Sequence, residues 1–225
     1  MMEFLLALPV LLVSVVAHEY AHGYAALRQG DSTAAELGRL TFNPIKHIDP
    51  WMSLLLPAML WFGSGGQFVF GGAKPVPVNP NNFRNYRRGD IVVSSAGVVA
   101  NSVLFVVFLA LAVAVGVAGR MSPFGLEAWI ILQRMMLFGI WINALLAFFN
   151  LIPIPPLDGS HILYHFLPPN LAQKYRELAR YGFLILLGMM FLFREYFFLL
   201  LLPAIMATRF ALDLVQPFLL QSAPF

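Results

Sequence analysis

The 225-residue chain contains no cysteine and few charges. Without cysteine there are no disulfides, no thiolate metal ligands and no cysteine nucleophile, so any metal centre must be built from histidine, aspartate or glutamate. Charged residues make up 11% of the chain and hydrophobic ones 60%, whereas soluble domains run near about 25% charged. That balance describes a polytopic membrane protein whose first partner is the lipid bilayer. The net charge of +3 gives no reason to expect nucleic acid, because no basic stretch is interleaved with aromatics. A positive n-region is also missing from Met1-Met2-Glu3-Phe4, so the first apolar segment reads as a retained span and not a signal peptide. There is no internal repeat or low-complexity tract. Residues 1–225 read as a single integral-membrane domain, with a core over about 4–166 and C-terminal helices over about 175–220.

The expected fold is all-α, with about five to six transmembrane or re-entrant helices. A first helix runs over 4–29, residues 91–118 form 28 uncharged positions, and 128–152 is interrupted only by Arg134. A span needs about 20 mostly apolar residues. Segment 51–62 is too short for a comfortable crossing, and reads as a re-entrant hairpin or as a span extended by its neighbours. A short membrane-associated β or extended element is expected over about 63–80. It contains the strand-like run 67–70 and Lys74-Pro75-Val76-Pro77-Val78-Asn79-Pro80, whose prolines exclude helix. Residues 175–193 and 196–214 are one long tilted helix or two spans meeting at Arg194-Glu195. Segments 28–50, 71–90 and 156–180 carry three, four and three Lys or Arg residues, against one in 119–127. Basic loops favour the cytoplasm, which puts those three segments on the inside of a cell membrane and makes 51–70 enter and return from that side.

Within residues 5–27, Glu19 is the only formal charge. Ionisable groups in a span are costly and mark function. Here they read His18-Glu19-Tyr20-Ala21-His22, and positions i and i+4 share one helix face. His18 and His22 are therefore candidate ligands of one Zn2+ per chain, with Glu19 beside it as catalytic proton carrier. A third ligand is required, and Asp158 stands out in Asn150-Leu151-Ile152-Pro153-Ile154-Pro155-Pro156-Leu157-Asp158-Gly159. Three prolines unwind the chain there, which at membrane depth is tolerated only beside protein or a water-filled cavity. Loop charge places Asp158 on the same side as His22.

These two elements, together with Gly97-Val98-Val99-Ala100-Asn101 between them and the loop 72–79, resemble the site-2 protease family of intramembrane zinc metalloproteases in its compact form, with no PDZ-like or CBS-like domain in the sequence. The resemblance implies hydrolysis of peptide bonds in or near transmembrane segments of membrane proteins, or of remnant signal peptides. It implies His18, His22 and Asp158 as zinc ligands, Glu19 as general base, and an active site opening towards the cytoplasm. Asn101, Asn150 and Gly97 are candidate substrate-binding residues, with Asn101 read as a donor to the substrate backbone or oxyanion, and the extended 74–80 segment or 67–70 as a partner for an unwound substrate strand.

Other readings stand beside these. Asp158 is alternatively a helix N-cap, and Gly97-x-x-x-Asn101 alternatively plain helix packing. His161 and His165 form a second i, i+4 pair, read as interfacial or supporting groups and otherwise as rival ligands. His47 is read as a loop residue, Asn143 and Asn150 as bonds across helices, and Arg134 as snorkelling or pairing with Glu127. The main functional rival is a membrane metal-ion transporter or permease using the same buried ligands. Association into a homo-oligomer is left open.

Overall fold

The computed structural model describes residues 2–63, 71–122 and 125–221, and these are helices joined by short connections, with no strand among the described residues. The expected run 67–70 lies outside them. In chain order the helices are α1 (Met2–Gln29), α2 (Thr33–Glu36), α3 (Leu56–Gly63), α4 (Tyr86–Met121), α5 (Leu126–Asn150), α6 (Asp158–Tyr164), α7 (Pro169–Leu178), α8 (Gly182–Phe191) and α9 (Arg194–Val215). Four segments are long and apolar enough to cross a bilayer: Leu5–Gln29, Tyr86–Met121, Leu126–Asn150 and Arg194–Phe218. At about 1.5 Å rise per residue, α8 falls far short of a hydrocarbon core about 30 Å thick. Region 175–214 is not one long helix: α7 runs through the 3-10 turn Ala179–Tyr181 directly into α8, and the chain breaks between Phe191 and Arg194. Of the two parts, α9 with its extension is the one long and apolar enough to span.

Local chemistry sets the helix starts. Asn85 caps α4 by accepting from the Arg88 N–H, and Asp49 accepts from the N–H groups of Trp51 and Met52 to open a π-helical turn, Pro50–Leu55, that leads into α3. The two described ends of this stretch meet. The Gly72 N–H donates to the Met52 carbonyl at 3.0 Å and the Ser53 hydroxyl to the Gly72 carbonyl at 2.7 Å. Residues 53 and 72 thus lie on the same side, as a re-entrant segment requires.

The four long helices share one apolar core: Val10 of α1, Phe108 and Ala112 of α4, Leu137 and Ile140 of α5, and Ala211 and Val215 of α9. A second cluster, Ile152, Leu157, Leu186, Phe197 and Leu201, seats the proline-broken stretch after α5 against α8 and α9. Between helices in lipid such contacts stabilise by van der Waals packing and not by exclusion of water. This packing holds α6 where its first residue, Asp158, faces α1.

Candidate metal centre

His18 and His22 lie one turn apart on α1, and their Nε2 atoms face each other at 3.0 Å. Asp158 Oδ2 lies 3.4 Å from His18 Nε2 and 3.3 Å from His22 Nε2. Asp158 is the first residue of α6, with Leu157 in the cap position, so the N-cap reading of Asp158 does not hold. Its neighbour Gly159 is dictated by space, because a Cβ there would sit 2.2 Å from the Leu151 carbonyl oxygen. Gly97 of α4 plays the same part opposite: a Cβ would sit 2.4 Å from His18 Cε1 and 2.5 Å from His22 Nε2. The glycine is the wall against which both imidazoles pack.

The other nitrogen of each imidazole is spoken for. His22 Nδ1 contacts the Val93 carbonyl at 2.7 Å; a carbonyl only accepts, so Nδ1 carries the proton. His18 Nδ1 contacts Asn101 Oδ1 at 2.6 Å, and the direction of that bond follows from a chain of acceptors. The Ser14 hydroxyl donates to the Val10 carbonyl. Asn143 Nδ2 donates to the Gly139 carbonyl (2.9 Å) and to Ser14 Oγ (2.8 Å). Asn101 Nδ2 donates to Asn143 Oδ1 (2.8 Å) and to the Ser14 carbonyl (3.3 Å). Asn101 Oδ1 is therefore the acceptor, and His18 Nδ1 donates to it. In the neutral rings both Nε2 atoms are then bare lone pairs.

Two lone pairs and a carboxylate oxygen converge on one point, and the buried Asp158 Oδ2 has no hydrogen-bond partner. Left so, the arrangement is repulsive, and an unpaired buried acceptor costs about 1–3 kcal/mol or more. A divalent cation resolves it. Tetrahedral zinc with bonds of about 2.0–2.1 Å needs ligand atoms about 3.3 Å apart, close to the observed separations of 3.0, 3.4 and 3.3 Å. Zinc held by three such donors would keep a fourth position open. Among the described residues these three form the one such ligand group.

Glu19, three residues before His22, accepts at Oε2 from the Val76 N–H at 2.8 Å. Asn101 is fully buried with its amide engaged inside the protein, which favours an orienting role over a donor to substrate. Asn150 is half-buried and donates to Leu146 O of its own helix. His47 is buried outside the site, at the end of a 3-10 turn over Pro44–His47 and not in a loop, and its Nε2 contacts the Thr41 carbonyl at 2.8 Å. Arg134 donates to Gln221 Oε1 at 3.1 Å, not to Glu127.

Sequence reading singled out His161 and His165 but not their partner. Asp90, near the start of α4, meets His165 Nε2 at 2.7 Å through Oδ2 and His161 Nδ1 at 3.5 Å through Oδ1. The Asp90 carboxylate raises the His161 imidazole above its ordinary value. Asp90, Ser160, His161, Tyr164, Tyr175 and Arg176 line a cavity of about 600 Å³ beside α6. The sequence also gave no place to Asn143 and Ser14 beyond helix contacts. The available signal was the presence of Ser14, Asn101 and Asn143 in otherwise apolar spans, with Ser14 one turn before His18 on the same face.

The sequence pattern described as peptidase family M50 matches residues 6–193. The chain is similar to the "Putative zinc metalloprotease YwhC" of Bacillus subtilis (strain 168), 40% identical over 182 residues, which cover 79% of this chain and 76% of that one. It is also similar to two proteins named "Putative zinc metalloprotease Rip2". That of Mycolicibacterium smegmatis is 31% identical over 182 residues, covering 81% of this chain and 65% of the relative. That of Mycobacterium tuberculosis (strain H37Rv) is 32% identical over 184 residues, covering 82% and 66%. No solved structure matches.

Proposed function

Since the chain belongs to peptidase family M50, a membrane zinc metalloprotease, we propose that it hydrolyses peptide bonds in or near transmembrane segments of membrane proteins or of remnant signal peptides. One zinc ion would be held by His18, His22 and Asp158, with Glu19 as general base. The observation that carries this reading is the convergence of two Nε2 lone pairs and an unpartnered carboxylate oxygen on a single point.

Bound zinc would supply Lewis acidity that lets water act as a nucleophile near neutral pH. The chain does the rest. Glu19, a neighbour of His22 on the helix surface, accepts the proton of the attacking water and passes it to the departing amine nitrogen as the C–N bond breaks. Asn101 and the Val93 carbonyl fix both imidazoles with Nε2 outward, which orients the ligands and raises their basicity. Gly97 keeps their space open. Asn150, at the end of α5 beside the proline-unwound stretch, is the remaining candidate for contact with the substrate backbone. A cavity lies beside α6, one turn from Asp158 at Ser160 and His161. Its walls come from the basic-flanked segments around 80–90 and 155–180, which supports an opening towards the cytoplasm. A substrate helix has its carbonyls internally bonded and must unwind locally before attack.

The test is cleavage of a membrane-spanning peptide by the purified protein in bilayers, with zinc measured on the same samples. Wild type should cleave and carry about one zinc per chain. Glu19→Gln should keep the zinc and lose about 10²–10⁴-fold in rate. Transport of zinc without any cleavage would favour a permease and end the proposal.

A further inference from the structure

Residues 75–78 alternate proline with valine, and Pro75 and Pro77 carry no amide hydrogen, so Val76 supplies the one backbone donor of the triplet 75–77. It is spent on the Glu19 carboxylate. Prolines also hold the residues before them extended, so this donor is delivered by a stiff segment. The segment is tied down on both flanks. The Lys74 N–H donates to the His47 carbonyl at 2.8 Å, and the Arg39 guanidinium donates to the Lys74 and Pro75 carbonyls at 3.1 and 3.3 Å. Beyond it, the Asn79 N–H donates to Asp31 Oδ2 at 2.7 Å. The Val76 side chain is buried against α1, where a Cβ on Gly23 would come within 2.9 Å of Val76 Cγ1.

We propose that the Pro75-Val76-Pro77 brace is a positioning device for the general base, its single N–H holding Oε2 of Glu19 so that Oε1 is turned to the water proton. This rests on the reading of Glu19 given above. A glutamate has three side-chain torsions and two equivalent oxygens, and a carboxylate left to rotate presents the wrong lone pair for much of the time. Fixing one oxygen from a rigid backbone sets the other without an additional side chain, and the charge-assisted bond is of the stronger kind. In the proton step, Oε1 takes a proton from water as the new C–O bond forms, then returns it to the amine nitrogen as C–N breaks. Oε2 stays on the Val76 amide throughout. Val76 acts through Glu19 and touches no reacting atom.

The Val76 bond can be read without any activity. Hydrogen exchange followed by NMR, with the Val76 amide assigned by selective 15N-valine labelling, reports this single site. In the full-length, metal-free protein the Val76 amide should exchange slowly, and Glu19→Ala should speed it at least about tenfold; Glu19→Gln, which keeps an acceptor oxygen, should leave much of the protection. Equal exchange in wild type and Glu19→Ala overturns the proposal. The second measurement replaces Val76 by its α-hydroxy acid analogue, which swaps the N–H for an ester oxygen and keeps the side chain. Its kcat should fall about tenfold with KM and zinc content as in wild type, whereas Val76→Ala, which keeps the N–H, should lose less. An ester variant as fast as a cleaving wild type overturns the inference alone. Loss of zinc or of the fold in the ester variant overturns it too, because the amide would then be a structural tie. A wild type that cleaves nothing sinks the general-base reading, and the inference with it.

Discussion

The molecule holds two clusters of the same composition, each a pair of histidines at i and i+4 with one aspartate from a distant helix. In His18, His22 and Asp158 the two ring nitrogens share one carboxylate oxygen, and that oxygen has no other partner. In His161, His165 and Asp90 each ring takes a different oxygen of the carboxylate, His161 through Nδ1 and His165 through Nε2. The first arrangement leaves three lone pairs with nothing between them. In the second, His165 makes a 2.7 Å hydrogen bond to one carboxylate oxygen, and His161 stands 3.5 Å from the other. What separates them is the far side of each ring. Acceptors on Nδ1 force Nε2 of His18 and His22 to stay bare, whereas a carboxylate on the near side of His161 and His165 lets those rings donate. Spacing nominates a metal site; the partner of the second nitrogen decides it.

The largest effect that this contrast predicts is on metal content. Asp158→Ala should abolish stable zinc binding, since two neutral imidazoles form an incomplete site. Asp90→Ala should leave zinc close to one per chain while loosening α6 against α4. Metal analysis after gel filtration of both variants checks it. Loss of zinc in both would merge the clusters into one functional unit.

Gly97→Ala comes next. A methyl group 2.4–2.6 Å from the two imidazoles cannot be accommodated without moving α4 or the rings, and overpacking of this kind costs about 1–3 kcal/mol. Zinc affinity should fall with stability, read by competition with a chromophoric chelator and by thermal unfolding in detergent. An unaltered affinity would show that α4 stands further from α1 than described.

A smaller change should follow from cutting the buried relay at its remote end. Asn143→Leu removes the donor to Ser14 and the acceptor of Asn101, without touching any ligand. It frees Asn101 to flip its amide, which would present an N–H to His18 and unlock the tautomer. Zinc affinity should drop about 10–100-fold. Asn101→Leu should do at least as much. The contrast sharpens if Asp90→Ala, in the cluster without a relay, leaves affinity unmoved.

How much of this was legible in the sequence depends on the range of each interaction. The long helices come from uninterrupted apolar runs, and α1, α4 and α5 match the expected spans closely. His18, Glu19 and His22 fall within one turn, and the prolines before Asp158 announce a broken element, so both halves of the site were visible locally. Their convergence was argued from loop charge. By contrast, Asp90 looked like an ordinary charge at a helix start, because its histidine partners lie 71 and 75 residues away (161 − 90 and 165 − 90). The Val76 N–H meets Glu19 across 57 residues, and no local pattern encodes such a bond. Tyr175–Phe193 is apolar enough to look like a span, whereas the helical run there is interrupted by the 3-10 turn Ala179–Tyr181 and ends at Phe191 before α9 starts at Arg194.

The smallest predicted effect lies outside the membrane spans, in the loop that anchors the brace. Asp31 is fully buried and accepts from the Thr33 N–H and hydroxyl, the Asn79 N–H and the Asn82 side-chain amide. Burial alone would raise its carboxyl, but these donors outweigh it and hold the group below its ordinary range. A carboxyl with a lower pKa in the folded than in the unfolded chain stabilises the fold fully above the unfolded value of about 3.9. That contribution is lost as pH falls through the folded value. The Asn79 amide of wild type should therefore keep its protection from hydrogen exchange down to about pH 4 and lose it progressively below that, after correction for the intrinsic rate. In Asp31→Asn the same amide should start less protected, by about 1 kcal/mol, and change less with pH, since the amide does not titrate. Parallel pH profiles for the two proteins would remove Asp31 as the anchor. A profile that flattens in Asp31→Asn, with zinc content unchanged, would show that the loop holding Val76 against Glu19 is stabilised independently of the metal ligands.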